Sequence, residues 1–221
     1  MNQTNMEDIA YDKLKNAIIK RYIKQGSKLV ESSLAEQIGV SRTPVRSAIK
    51  RLVYEGFASF IPNRGAFVIK PTEEEIRKAF AVRAQLEKMG AGLAAARISK
   101  PNVDELNRLI IQEQTTFESR DLDQYYVIND ALHLLVAETS GNEILVHYIH
   151  ELMSKTKVYL ILYDPFFQMQ VNPSIDEHQN LVWALKQQDP LLAESMMEKH
   201  LQSALEGMDF HNVFPQDYIS V

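Results

Sequence analysis

Residues 41–51 read Ser41-Arg42-Thr43-Pro44-Val45-Arg46-Ser47-Ala48-Ile49-Lys50-Arg51, and their spacing predicts a helix with two different faces. Val45, Ile49 and Leu52 recur at i, i+4 and i+7 as an apolar stripe. Arg42, Arg46 and Lys50 recur at i, i+4 and i+8 as a positive one. Ser41 is suited to cap the helix through its hydroxyl. Pro44 falls in the first turn, where its missing N–H breaks no helical bond. A helix packed on one side, cationic on another and opened by small hydroxyl residues suits a DNA major groove. A solvated basic helix face has the same composition, so the flanking segments decide between the two.

Upstream, Glu31 to Ile38 reads as a short helix with Leu34, Ala35 and Ile38 as its apolar residues. Gly39 breaks it, Val40 plugs the turn, and the next helix runs to Gly56. Ile9 to Tyr22 forms an amphipathic helix with Ile9, Leu14, Ala17 and Ile18 inward, ended by Gln25-Gly26-Ser27. Helix, Gly-containing turn, helix is the helix-turn-helix arrangement, in which the first helix braces the second across the DNA backbone. Downstream, Phe57–Ile61 and Ala66–Ile69 flank Pro62-Asn63-Arg64-Gly65 and predict a hairpin. Alone it is an ordinary surface turn; after a helix-turn-helix it is a wing, with Arg64 at its tip placed for a phosphate or a minor groove.

Charge supports this reading. The net charge is −5, yet residues 1–70 carry 12 Lys and Arg against 6 Asp and Glu, and residues 71–221 carry 12 against 23. A basic front on an acidic remainder indicates that the front meets a polyanion. The 221 residues suit one or two domains, and 45% apolar with 24% charged residues is ordinary for a soluble globular protein. There is no cysteine, hence no disulfide framework and no thiolate metal site. No apolar run approaches the roughly 18–20 residues of a membrane span. Met1 to Glu7 is polar and lacks a signal-peptide apolar region, so a cytoplasmic location is expected.

Lys70-Pro71-Thr72 marks the boundary, giving domains at 1–70 and 71–221. Thr72 with Glu75 reads as a capping box. Beyond it only helices are predicted: Thr72 to Ile98; Asn102 to Ser119; Asp121 to Gly141; Asn142 to Asp164-Pro165; a helix opened by Asn172-Pro173 and the box Ser174-x-x-Glu177; and one opened by Asp189 and Pro190, ending near Gly207. The expected fold is mainly α, an N-terminal winged helix-turn-helix followed by an all-α antiparallel six-helix bundle.

Histidines carry the chemistry of the bundle. His178 lies eleven residues before Asp189 and His200 eleven after, so in an antiparallel hairpin the two sit at similar height. His200 shares a face with Met196, Met197 and Ala204; His178 is followed by Leu181 and Val182. His133 is flanked by Leu132, Leu134 and Leu135, with Asn129 four residues before it on the same face. Three imidazoles and an amide oxygen from three helices can form a mononuclear metal site; three unrelated buried histidines are the other reading. The metal expected is a divalent transition ion, zinc or nickel, although imidazole also suits copper or iron. His147 and His150 share a solvated face with Glu143, Ser154 and Lys157, and His211 sits in an uninformative tail. Arg83, among Phe80, Ala84 and Leu86, is either paired with Glu87 on the adjacent turn or kept for an anionic ligand. Phe166, Phe167, Met169, Met196 and Met197 read as core.

Leu34-Ala35-Glu36-Gln37-Ile38-Gly39-Val40-Ser41-Arg42-Thr43-Pro44-Val45-Arg46, with Leu52-x-x-Glu55-Gly56, resembles the winged helix of the GntR regulators. Asn63-Arg64-Gly65-Ala66-Phe67-Val68 resembles their wing. Arg83-x-x-Leu86-Glu87, Asn129-x-x-x-His133, Ser140-Gly141-Asn142, Glu177-His178 and Asp189-Pro190 to His200 resemble the FCD-type ligand-binding domain of the FadR subfamily, in its shorter, VanR-like six-helix branch. The resemblance implies a homodimeric, effector-controlled transcription factor on a palindromic double-stranded operator. It implies DNA contacts from Ser41, Arg42, Thr43 and Arg46 on the helix and from Asn63, Arg64 and Gly65 on the wing. Ser32 stands where many members carry arginine. It implies metal ligands at His133, His178 and His200, with Asn129 where aspartate is usual; a neutral amide leaves the site one charge more positive. The expected function is a repressor, not an enzyme and not membrane-bound, controlled by a small carboxylate-bearing effector near the metal and Arg83. A metal-independent sensor, in which the histidines and Arg83 bind the anion directly, and a His-site metalloenzyme are the alternatives.

Overall fold

The structure is a computed structural model that describes residues 6–210; His211 and most of the Met1–Glu7 stretch lie outside them. The chain divides into two compact units, one reaching Thr72 and the other spanning Glu73–Asp209.

In the first unit, α1 (Met6–Ile19), α2 (Glu31–Ile38) and α3 (Arg42–Tyr54) precede a hairpin of β1 (Ala58–Ile61) and β2 (Gly65–Val68). Val45, Ala48, Ile49 and Leu52 of α3 are buried, and α3 packs on both α1 and α2. The inward face of α1 differs from expectation. Ala10, Tyr11, Leu14 and Ile18 are buried, while Ile9 and Ala17 are half-buried at the edges of that face, and the helix runs from Met6 to Ile19. Arg21, with φ of 63°, turns the chain well before Gly26. Gly39, with φ of 80°, ends α2 in the left-handed conformation and donates to the Ala35 carbonyl.

Ser41 occupies the N-cap position of α3, but its hydroxyl accepts no capping hydrogen bond, contrary to expectation. Pro44, three residues on, has no N–H and so removes one of the two usual donors to the cap. The hairpin pairs Ala58 with Val68 and Ile61 with Gly65. Its tip needs left-handed backbone at Asn63 (φ 60°) and Gly65 (φ 98°). Residues 27–29 add a further extended segment against β2, with Leu29 donating to the Ala66 carbonyl at 2.8 Å and Val68 to the Ser27 carbonyl at 2.9 Å.

The second unit holds α4 (Glu73–Ala95), α5 (Lys100–Glu118), α6 (Leu122–Thr139), α7 (Glu143–Tyr163), α8 (Pro173–Lys186) and α9 (Pro190–Glu206). The alanines and glycines of α4 let α6, α7, α8 and α9 all pack on it. Asp121, Asn142 and Asp189 cap their helices through side-chain oxygens, as their sequence positions predict. Two helix bounds and one capping box differ. α4 stops at Ala95 rather than Ile98. α5 begins at Lys100 because Ser99 and Asn102 form a reciprocal capping box. α8 is capped by Asn172, which accepts from the Ser174 N–H, so the expected Ser174–Glu177 box does not form. Glu177 is employed elsewhere, as described below.

The α7–α8 connection is fastened from α5 and α6. Arg120 donates to the carbonyls of Phe166 (3.1 Å) and Met169 (2.7 Å), Asn172 donates to the Tyr125 hydroxyl (2.8 Å), and the Tyr126 hydroxyl donates to Asp164 (3.1 Å). Phe166 is core, as expected, whereas Phe167 is half exposed. Burial pushes the Asp164 carboxyl up to about 6, partly offset by the Tyr126 hydroxyl.

Two predictions follow from these elements. Ser41→Ala should cost less than about 0.5 kcal/mol of stability, against roughly 1 kcal/mol for a working cap, by denaturant melting. Asp164 binds its proton more tightly in the folded chain than in the unfolded one, so its contribution is lost as pH rises through about 6. Asp164→Asn should therefore melt higher than the parent at pH 7.5, with the advantage gone at pH 4.5.

Candidate metal centre and nucleic-acid interface

His133 from α6, His178 from α8 and His200 from α9 meet inside the second unit, their ligating nitrogens all within 4.8 Å of one another. The ring centroids of His178 and His200 lie 4.4 Å apart, and His133 is 5.3 and 5.1 Å from them. The equal offsets from the α8–α9 turn thus bring His178 and His200 to one height, and α6 supplies the third ring. All three are buried.

Each imidazole is held from behind by a carboxylate. The Nδ1 of His133 meets Glu87 of α4. That of His178 lies 2.8 Å from Glu113 of α5, and that of His200 lies 2.9 Å from Glu177 of α8. An Nδ1–H donated to a carboxylate fixes the tautomer and leaves Nε2 with a lone pair. The three Nε2 atoms are the inward ones. Those of His178 and His200 face each other at 3.3 Å, and that of His133 is the buried side-chain nitrogen without a partner among the described residues. Lone pairs converging without donors are what a cation requires, and this donor set fits a transition ion. Burial, aided by His178, lowers His200 to about 3, and burial also lowers His133, so neither ring is protonated near neutrality.

The carboxylates behind the rings are themselves tied in. Glu87 accepts from Nε of Arg83, whose Nη1 donates to the Thr156 hydroxyl of α7 at 3.0 Å. Arg83 and Glu87 are 3% and 2% exposed. Burial alone would raise the Glu87 carboxyl, but Arg83 and His133 together drive it far below the usual range. Glu113 is lowered in the same way by His178 against the effect of burial. Asn129 is buried and donates from Nδ2 to Glu113 at 3.3 Å. Sequence reading placed the three histidines and Asn129 but gave Glu113 no role, although one acid among Leu106, Leu109, Ile110 and Phe117 on the buried face of α5 was the available signal. His147 and His150 are exposed on α7, away from this cluster.

On the first unit, Ser32, Arg42, Arg46, Arg64 and Gly65 line one groove of about 800 Å³, together with Lys28, Lys50 and Glu31. Ser41 and Thr43 lie on the other flank of the α3 N-terminus, beside Met6 and Gly39. Asn63 is exposed at the wing tip. Arg51 is not on the cationic stripe. Its guanidinium lies 3.6 Å from the Tyr11 ring centroid and pairs with Asp8 and Glu55, which fastens α3 to α1. Arg46 is not a free cation either: it is bonded to Glu31.

A winged helix-turn-helix with a cationic groove, followed by an all-helical unit, is the architecture of a transcriptional regulator. Residues 7–68 match the family of bacterial regulatory proteins of the gntR type, and residues 78–203 match the FCD domain. The chain belongs to the GntR family. It is 27% identical over 201 residues to the HTH-type transcriptional repressor RspR of Escherichia coli K12, covering 90% of this chain and 86% of that protein. It is 29% identical over 177 residues to the transcriptional regulator McbR of the same organism, 80% of each. The solved structure of E. coli McbR/YncC superposes with a TM-score of 0.62 at 25% identity, over 92% of this chain and 97% of that one.

Removing Glu87 should be costly, because it strands the Arg83 guanidinium without its buried partner. Glu87→Ala is expected to lose about 3–5 kcal/mol by equilibrium unfolding. The double variant Arg83→Met/Glu87→Leu should recover much of that loss.

Proposed function

We propose that this chain is a homodimeric transcriptional repressor whose residues 71–221 bind a divalent transition metal, zinc or nickel, and a small carboxylate-bearing effector. The observation that carries the proposal is the convergence of three buried imidazoles, each with its Nδ1 against a carboxylate, which leaves Nε2 as the ligating atom. His133, His178 and His200 hold the ion. Asn129 turns its amide nitrogen to Glu113, so its oxygen is the end left to serve as a further ligand. Three imidazoles and an amide bring no negative charge to the ion, which when bound supplies a Lewis-acidic acceptor for a carboxylate. Arg83, with Nε and Nη1 engaged, offers Nη2 to the same anion.

Dimerisation is supported by α4. Val82 and Met89 form an apolar stripe along it, each about half exposed, bordered by Leu86 and Leu93, which pack on the bundle core. A second copy of the chain would cover that stripe. The same helix carries Arg83 and Glu87, so an effector drawn to Arg83 acts on the element that holds the dimer. This is the two-state coupling by which effector binding changes operator affinity. Repression is supported by repressors among the relatives, such as RspR and the gluconate operon repressor of Bacillus licheniformis. Among the described residues no helix is long and apolar enough to cross a membrane.

Metal analysis of protein dialysed against zinc or nickel should find about one ion per chain, absent in His133→Ala. Glu113→Gln should weaken metal affinity by about 10–100-fold through its hold on His178. A chelator that leaves effector response unchanged would favour direct anion binding by the histidines and Arg83. Fluorescence polarisation on the native upstream region should show sequence-specific, salt-sensitive binding; its absence would overturn the regulator reading.

A further inference from the structure

Glu31 is an acid on the face that meets a polyanion. It opens α2 and lines the same groove as Lys28, Arg42, Arg46, Lys50 and Arg64. A carboxylate there repels phosphate, so its presence needs a reason. Stability is a poor one, since ion pairs this exposed contribute little to folding; the Arg46 side chain is 61% exposed.

The geometry supplies another reason. Nε of Arg46 lies 3.0 Å from both carboxylate oxygens of Glu31, and Nη2 lies 2.8 Å from Oε2. Glu31 therefore occupies the side-on edge of the guanidinium, formed by Nε and Nη2. The end-on edge, formed by Nη1 and the outer N–H of Nη2, donates to no group among the described residues. An end-on fork of two parallel donors matches O6 and N7 of guanine in the major groove. The Arg46 hydrogen bonds, with Arg42 and Lys50 nearby, keep Glu31 ionised, so the charge of Arg46 is cancelled from within the chain.

We propose that Glu31 is the specificity-determining partner of Arg46: it holds the guanidinium side-on, removes it from phosphate binding, and presents its end-on fork to a guanine. The proposal rests on the DNA-binding role of the first unit. Within that role it divides the cations of the groove: Arg46 reads a base, while Lys28, Lys50 and Arg64, paired with no carboxylate among the described residues, serve phosphates.

The test is selection from a random-sequence duplex library by the full-length parent, Glu31→Gln and Arg46→Lys, with salt titrations on calf-thymus DNA. The parent should enrich a guanine at one position of each half-site. Glu31→Gln should lose that preference by about tenfold at that position alone. Its salt slope should steepen by about 0.9 per protomer, because Arg46 becomes free for a phosphate. Arg46→Lys, which has no fork, should lose the same guanine. An unchanged base preference in Glu31→Gln overturns the proposal. So does a uniform rise in affinity with the guanine retained, which would make Glu31 an electrostatic brake. A parent that enriches no sequence overturns the DNA-binding role itself.

Discussion

Burying an ionised group is tolerable only when its partner is buried with it, and the second unit is assembled around that constraint. Glu87 sits in the interior of a six-helix bundle, where an unpaired carboxylate would be expelled or protonated. It stays ionised because Arg83 meets it on one side and His133 on the other. Arg83 then reaches Thr156 on α7, Glu113 joins α5 to α8 and to Asn129 on α6, and Glu177 joins α8 to α9. Each bond satisfies a group that would otherwise be stranded, and together they run through all six helices. The carboxylates serve structure and chemistry at once: by accepting hydrogen bonds from the Nδ1–H groups they turn the three Nε2 atoms towards one point.

The first unit applies the same pairing at its surface, with a different outcome. Arg46 and Glu31 are exposed, so their pair does little for stability. What it fixes is direction, since a side-on carboxylate leaves a guanidinium one way to face. Ser41 shows the complementary case. Its hydroxyl makes no capping bond, Pro44 having removed one of the two usual donors, and is left at the N-terminal end of α3. In both places a side chain is kept from an ordinary local role and left available outward.

Much of this could be read from the chain itself. The alternation of stripes on α3, the Gly39 turn and the Asn63-Arg64-Gly65 tip are local signals, and local backbone preferences enforce them. The caps at Asp121, Asn142 and Asp189 are legible for the same reason. Where local reading went astray, a nearby competitor had intervened: Ser99 and Asn102 started α5 early, Asn172 displaced Ser174 as a cap, and Glu177 was drawn off to His200. The heights of His178 and His200 followed from counting residues along a hairpin, which is a local quantity too.

The sequence by itself determined the element order, the winged helix, the bundle and the three histidines, because periodicity and capping act over a few residues. Only the tertiary structure decided which acid stands behind which imidazole, that Asn129 serves Glu113, and that Glu31 claims Arg46. These pairs join residues 15 to 65 positions apart. No spacing rule reaches that far: such partners are chosen by which helices pack together and by the penalty for leaving a buried charge alone.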